Sequence, residues 1–104
     1  MAEGMGVDFA VLLTLAEAGR SHLEEAANSL EQLRGVVAEL GGEVHASIMT
    51  HGHYDAVVAG HAPSLECVSS LAGWIAVQGY FTSQSLIGAA SDAFRSVGRP
   101  YVTS

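Results

Sequence analysis

Apolar and polar positions along this chain fall into blocks whose period changes from continuous to helical to alternating. Asp8-Phe9-Ala10-Val11-Leu12-Leu13-Thr14-Leu15 is almost continuously apolar, the pattern of a central strand buried on both faces. Glu17 to Arg20 reads as a connection, and Ser21 as the cap of a helix whose Glu24, three residues on, completes a capping box. Leu23, Ala27, Leu30, Leu33, Val37 and Leu40 then recur at helical spacing, with Glu24, Glu31, Gln32, Arg34 and Glu39 between them. Gly41-Gly42 ends that amphipathic helix by the left-handed turn that glycine permits.

From Glu43 to Thr50, Val44, Ala46 and Ile48 alternate with His45, Ser47 and Met49, as in a half-buried second strand. A turn around Gly52 leads into a third strand from Tyr54 to His61, making a β-hairpin. Its register is open at this stage. An even-sum pairing, such as 50 opposite 54, puts His45 and His61 on one face, and an odd-sum pairing puts them on opposite faces. Ala62-Pro63 breaks the strand and Ser64 caps a second helix, along which Leu65, Val68, Leu71, Ala72 and Ile75 form an apolar stripe ending near Gly79. Tyr80 to Ala90 supplies a fourth strand, polar from Thr82 to Ser85. The remainder, from Ser91, is expected to give one helical turn before Gly98-Arg99-Pro100 halts it.

This βαββαβ order predicts an α+β, ferredoxin-like fold: a four-stranded antiparallel sheet in the order 4-1-3-2, with two helices on one face. The expected domain covers residues 8–94, between an N-terminal tail of residues 1–7 and a C-terminal tail of residues 95–104. Two helices cover one face of the sheet and leave the other bare. Pairing of two such faces, in a homodimer or a higher oligomer, is the expected cover.

Composition sharpens this picture. With 49% hydrophobic and 14% charged residues in 104, the chain is apolar for so small a body, as expected if another subunit covers part of it. No segment approaches the ~20 apolar residues of a membrane span, and no basic region precedes an apolar core as in a signal peptide. A lone cysteine, Cys67, forms no intrachain disulfide and fits a reducing cytoplasm. A formal charge of −7 repels phosphate backbones and anionic membranes, so neither nucleic acid nor membrane is an expected partner. All four basic residues are arginines, and without lysine the chain supports neither a side-chain Schiff base nor a P-loop.

The densest chemistry lies in Thr50-His51-Gly52-His53-Tyr54-Asp55. Strand direction collects Thr14, Glu17, His51, His53, Tyr54, Asp55 and Tyr80 at one pole of the sheet, and Asp8, His45 and His61 at the other. At either pole a carboxylate is able to orient an imidazole, the side chain whose ordinary pKa is nearest neutrality. The catalytic reading makes His51 or His53 an acid/base group supported by Asp55, with Tyr54 as hydrogen-bond donor. The competing reading gives Asp55 to the backbone N–H groups of the turn, leaves the histidines in solvent and packs Tyr54 across the sheet. His45, His51, His53 and His61 also raise a metal reading, but the spacing is unspecific and the expectation is no metal and no cofactor. Trp74 and Cys67 share one helical side, as a groove wall or as core. Met49, Val57 and Ala59 line either a dimer cavity or ordinary packing. Arg20 is expected to meet Glu17 or Glu24.

Several of these segments together resemble a known family. The opening strand FAVLLTL, Gly19 before the first helix, the ELGGEV joint from Glu39 to Val44, the T-x-G-x-Y-D turn, the Ala62-Pro63 that closes strand three, and the polar fourth strand occur in the order seen in GYD-domain proteins, small bacterial proteins named for a Gly-Tyr-Asp triplet. The resemblance runs over residues 9–94. His53 stands where the first glycine of the triplet belongs, which strains the turn or shifts a positive φ onto Gly52. The resemblance implies a dimeric α+β barrel, in which two ferredoxin-like sheets face each other around small cavities. It does not imply an activity, because relatives in the wider superfamily span several chemistries. Two functions follow as expectations: a small-molecule-binding protein, as a cofactor-independent acid/base enzyme or a binding module, or a non-catalytic assembly or regulatory module.

Overall fold

The computed structural model describes residues 6–88. They form β1 (Val7–Leu15), α1 (Glu17–Ser21), α2 (Leu23–Glu39), β2 (Glu43–Met49), β3 (Ala56–Ala62), α3 (Leu65–Gln78) and β4 (Phe81–Gly88). The four strands make one antiparallel sheet in the order β2-β3-β1-β4, with both longer helices against one face, as the alternation of periods predicts. The core lies between that face and the helices. Phe9, Val11 and Leu13 of β1 and Ala56, Val58 and Ala62 of β3 meet Leu33 and Val37 of α2 and Val68, Leu71 and Ile75 of α3. Leu13, Leu71, Val11 and Val58 are fully buried. Trp74 and Cys67 pack against this core, which is the plainer of their two readings. The Cys67 thiol donates to Leu40 O at 3.3 Å.

Four local readings need correction. Glu17 to Ser21 is a helical turn of its own, since Ala16 N–H is held by Tyr80 O at 2.9 Å and Arg20 N–H closes onto Ala16 O at 2.9 Å. Ser21 therefore ends α1 instead of capping α2. His22 stands at that junction, with no side-chain cap bond. Arg20 donates to Leu15 O at 2.8 Å and forms no salt bridge with Glu17 or Glu24. β1 begins at Val7, one residue inside the expected tail. The second helix matches its expectation: Ser64 Oγ accepts from Cys67 N–H, and Gly79 closes the helix with φ +82°. The helical turn expected before Gly98-Arg99-Pro100 lies outside the described residues, as do the end of the expected fourth strand and the C-terminal tail.

The hairpin takes both registers. At its turn end the pairing is odd-sum, with Met49 opposite Ala56, Ile48 opposite Val57 and Ala46 opposite Ala59. Beyond an irregularity between Val44 and Ala46 it is even-sum, with Val44 opposite Gly60 and Glu43 opposite His61. His45 is the extra residue of this bulge. One consequence is that Met49 shares the helix side with buried Ala56, at the exposed sheet edge, and does not line the open face. Val57 and Ala59 do line it.

Pairing across all four strands lays out the helix-free face in rows. The first is Glu43, His61, Asp8 and Gly88, and the second is Ala46, Ala59, Ala10 and Leu86. The third is Ile48, Val57, Leu12 and Gln84, and Thr14 beside Thr82 begins the last. β1 is thus fully buried only on its helix side, with Ala10, Leu12 and Thr14 half-buried on the other. An apolar floor two rows deep, bounded by polar groups at both ends, is the main feature of this face.

Candidate functional site

The turn at the end of β2 is built by backbone closure. Thr50 N–H donates to Asp55 O at 3.0 Å, and Thr50 Oγ donates to Tyr54 O at 2.7 Å. Four residues, His51 to Tyr54, form the loop so closed. Gly52 takes φ +114°, and no residue other than glycine has a positive φ among those described, so His53 carries no left-handed strain.

Asp55 locks this loop to the neighbouring strand. Its N–H donates to Leu13 O at 2.7 Å, and its Oδ2 accepts from Leu15 N–H at 2.8 Å. The carboxylate therefore takes the place of a strand partner for the last residue of β1. No hydrogen bond joins it to His51 or His53. Tyr54 reaches across the sheet, its phenol donating to Gln84 Oε1 at 2.9 Å. His53 stands edge-on to Tyr54 with ring centroids 6.5 Å apart, and its carbonyl accepts from Thr14 Oγ at 3.5 Å. His51 and His53 are both exposed. Of the predicted site residues, then, Tyr54 and Asp55 are engaged, His53 lies beside Tyr54, and His51 projects alone. Gln84 joins the group, although its place in a polar run gave no sign of that. Glu17 lies in α1, and Tyr80 contributes its backbone carbonyl to Ala16 N–H.

A carboxylate–imidazole pair does form, at the other pole. His61 Nδ1 lies 3.0 Å from Asp8 Oδ1, with the two side chains 44% and 36% exposed. His45 Nε2 lies 3.7 Å from Glu43 Oε1. The sequence had gathered Asp8, His45 and His61 at this pole. It had not shown which would pair, because the His61–Asp8 contact depends on the register of β1 against β3, where the two residues stand directly opposite. Among the described residues, no three His, Cys, Asp or Glu side chains come together in a way that could hold a metal ion.

Away from both poles, a groove of about 220 Å³ lies on the helix side of the edge strand, between Leu30, Leu33 and Arg34 of α2 and Val44 and Ser47 of β2. Arg34 bridges its elements by donating to Val44 O at 3.1 Å. Among the described residues no helix is long and apolar enough to cross a membrane.

Comparison with known proteins places this geometry in context. The GYD domain family matches the chain over residues 9–97. No curated protein gives a significant match. Among solved structures, a conserved protein of unknown function from Bacteroides thetaiotaomicron, described as a possible oxidoreductase, superposes with a TM-score of 0.55 at 12% identity, covering 81% of this chain and 96% of its own. A variant of SnoaB, a cofactor-independent oxygenase from Streptomyces nogalater, superposes with a TM-score of 0.51 at 14% identity, covering 83% of this chain and 93% of its own. At such identities the likeness is one of fold: the ferredoxin-like α+β architecture.

Proposed function

The chain belongs to the GYD-domain family, and on that premise we propose that it binds a small organic molecule between the helix-free faces of a symmetric dimer and acts on it by proton transfer. The observation that carries this reading is the layout of the open face: two apolar rows flanked by Thr14, Thr82, Gln84 and Tyr54 at one end and by Asp8 and His61 at the other. A floor of this kind suits a largely apolar ligand oriented by a few polar groups. His51 and His53 are the exposed proton-transfer groups of the rim, and the Tyr54 phenol, whose O–H rests on Gln84 Oε1, would exchange that partner for a polar group of the ligand. Asp55 is a positioning residue, since its carboxylate is committed to Leu15 N–H. The chemistry would be a cyclisation, an isomerisation, or an oxidation in which dioxygen takes the electrons of a substrate carbanion formed by proton removal.

Native mass spectrometry of the protein from its own host, followed by ligand binding to His51→Ala and Tyr54→Phe variants, tests this reading. A dimer retaining a small molecule, bound at least tenfold more weakly by either variant, is the expected result. A ligand held equally by both variants overturns the role of the turn.

The alternative, a non-catalytic assembly or regulatory module, draws on a different observation. Asp55 Oδ2 and the Tyr54 hydroxyl are engaged within the chain, and His51 and His53 make no side-chain hydrogen bond. A dimer whose facing sheets pack without an internal cavity favours this second reading.

A further inference from the structure

We propose that the groove between α2 and β2 binds a compact apolar carboxylate, with its hydrocarbon body against Leu30, Leu33, Val44 and Val58 and its carboxylate on the guanidinium of Arg34. This site lies on the helix side of the sheet and does not depend on the chamber read above. Pairing of the helix-free faces would leave it open. Three observations converge on it.

The first is how the groove arises. Strict alternation from Val44 would bring Ala46 and Ile48 to the helix side of β2. The bulge at His45 sends those two to the helix-free face instead and turns Ser47 to the helix side, opposite Val58. A small hydroxymethyl group thus stands where a branched apolar side chain would close the edge of the core. The space left is about 220 Å³, and its wall includes Leu33, Val44 and Val58, which belong to the buried core. That volume is below the ~300 Å³ at the lower end of drug-sized pockets, so it suits one ring or a fused pair with a short polar arm.

The second observation is the placement of Arg34. Its Nη1 donates to Val44 O at 3.1 Å, which holds the guanidinium at the wall of the groove. A planar fork of N–H donors is the geometry that recognises a carboxylate through two parallel bonds. The third is charge. Among the described residues the ion pairs are His61 with Asp8 and His45 with Glu43, so Arg34 has no carboxylate partner there although the chain carries a formal charge of −7. Glu31, nearly one turn earlier on α2, lines the same groove without closing a salt bridge to Arg34. An unmatched cation beside apolar surface selects an anion with a hydrocarbon body. Repulsion from the acidic surface is screened over ~8 Å at physiological salt, whereas the guanidinium contact acts at hydrogen-bond distance.

The probe is 1-naphthoate, with 1-naphthalenemethanol as its uncharged counterpart. Each is titrated into the full chain and followed by ¹H–¹⁵N amide shifts. The acid should saturate with shifts centred on Leu30, Arg34, Val44 and Ser47, and the alcohol should bind about tenfold more weakly, as expected for the loss of charge-assisted bonds. Arg34→Gln should weaken the acid about tenfold and leave the alcohol unchanged, which separates the guanidinium from general packing. Glu31→Gln removes the neighbouring negative charge and should tighten the acid about twofold. Ser47→Leu should fill the groove and weaken both compounds. Equal affinity for acid and alcohol, or undiminished binding of the acid by folded Arg34→Gln, overturns the proposal. So does the absence of saturable binding. An acid whose shifts centre on Leu12, Thr14 and Gln84 overturns this site and supports the chamber instead, so the two readings fail separately.

Discussion

Replacing Asp55 with alanine separates an architectural carboxylate from a catalytic one. Asp55 Oδ2 accepts the Leu15 N–H at 2.8 Å, where β1 runs past the hairpin and has no strand partner on that side. A hydrogen bond to an ionised group contributes ~1.5–3 kcal/mol, and the lower end applies because the site is only half-buried and water can replace part of it. A loss of ~1.5 kcal/mol in a domain of this size corresponds to a fall in Tm of ~6–12 °C. Asp55→Asn keeps an acceptor oxygen without the charge and should lose about half as much. The assay is thermal unfolding followed by circular dichroism at one fixed protein concentration, because association would otherwise shift the midpoint. If Asp55→Ala melts within ~1 °C of the wild type, the carboxylate does not hold the strand, and its place in the turn needs a chemical explanation instead.

Other expectations follow from the same structure. Ser64→Ala removes the oxygen that caps α3 and should cost ~1 kcal/mol, read as a lower urea midpoint. Leu71→Ala, at a side chain 1% exposed, should cost ~2–5 kcal/mol with an unchanged urea slope. Val57→Asp places a charge in the centre of the apolar floor and should abolish the proposed dimer in light scattering, while Leu23→Asp, on a helix residue 60% exposed, should leave it intact. Equal dimer populations in those two variants would show that the helix-free face is not the contact.

What could be read from sequence was whatever local periodicity determines. The runs around Val11, Leu33 and Leu71 announced strand and helix because their apolar spacing has only one consistent burial, and the βαββαβ order then allowed few sheet arrangements. The α1 turn escaped notice because it depends on a contact with Tyr80 O, more than sixty residues away. The same limit held at the candidate site. Asp55 was rightly placed at a crowded turn, but its partner was a backbone N–H of another strand. The pairing of His61 with Asp8 required the register of β1 against β3, two strands far apart in sequence, and the place of His45 required a bulge in β2, because period-two alternation is blind to a single inserted residue.

That inserted residue, His45, makes the length of the edge strand adjustable. Removing it would bring Val44 directly next to Ala46, with Ala46 still opposite Ala59, Val44 opposite Gly60 and Glu43 opposite His61. Every side chain would keep its face, since the deletion would turn an irregular ladder into a regular one. A one-residue deletion almost anywhere else in β2 would turn Val44 out of the core and Glu43 into it. Position 45 is therefore where chain length can change by one without cost to the core, and the natural point for a single gap when this sequence is aligned with shorter ones.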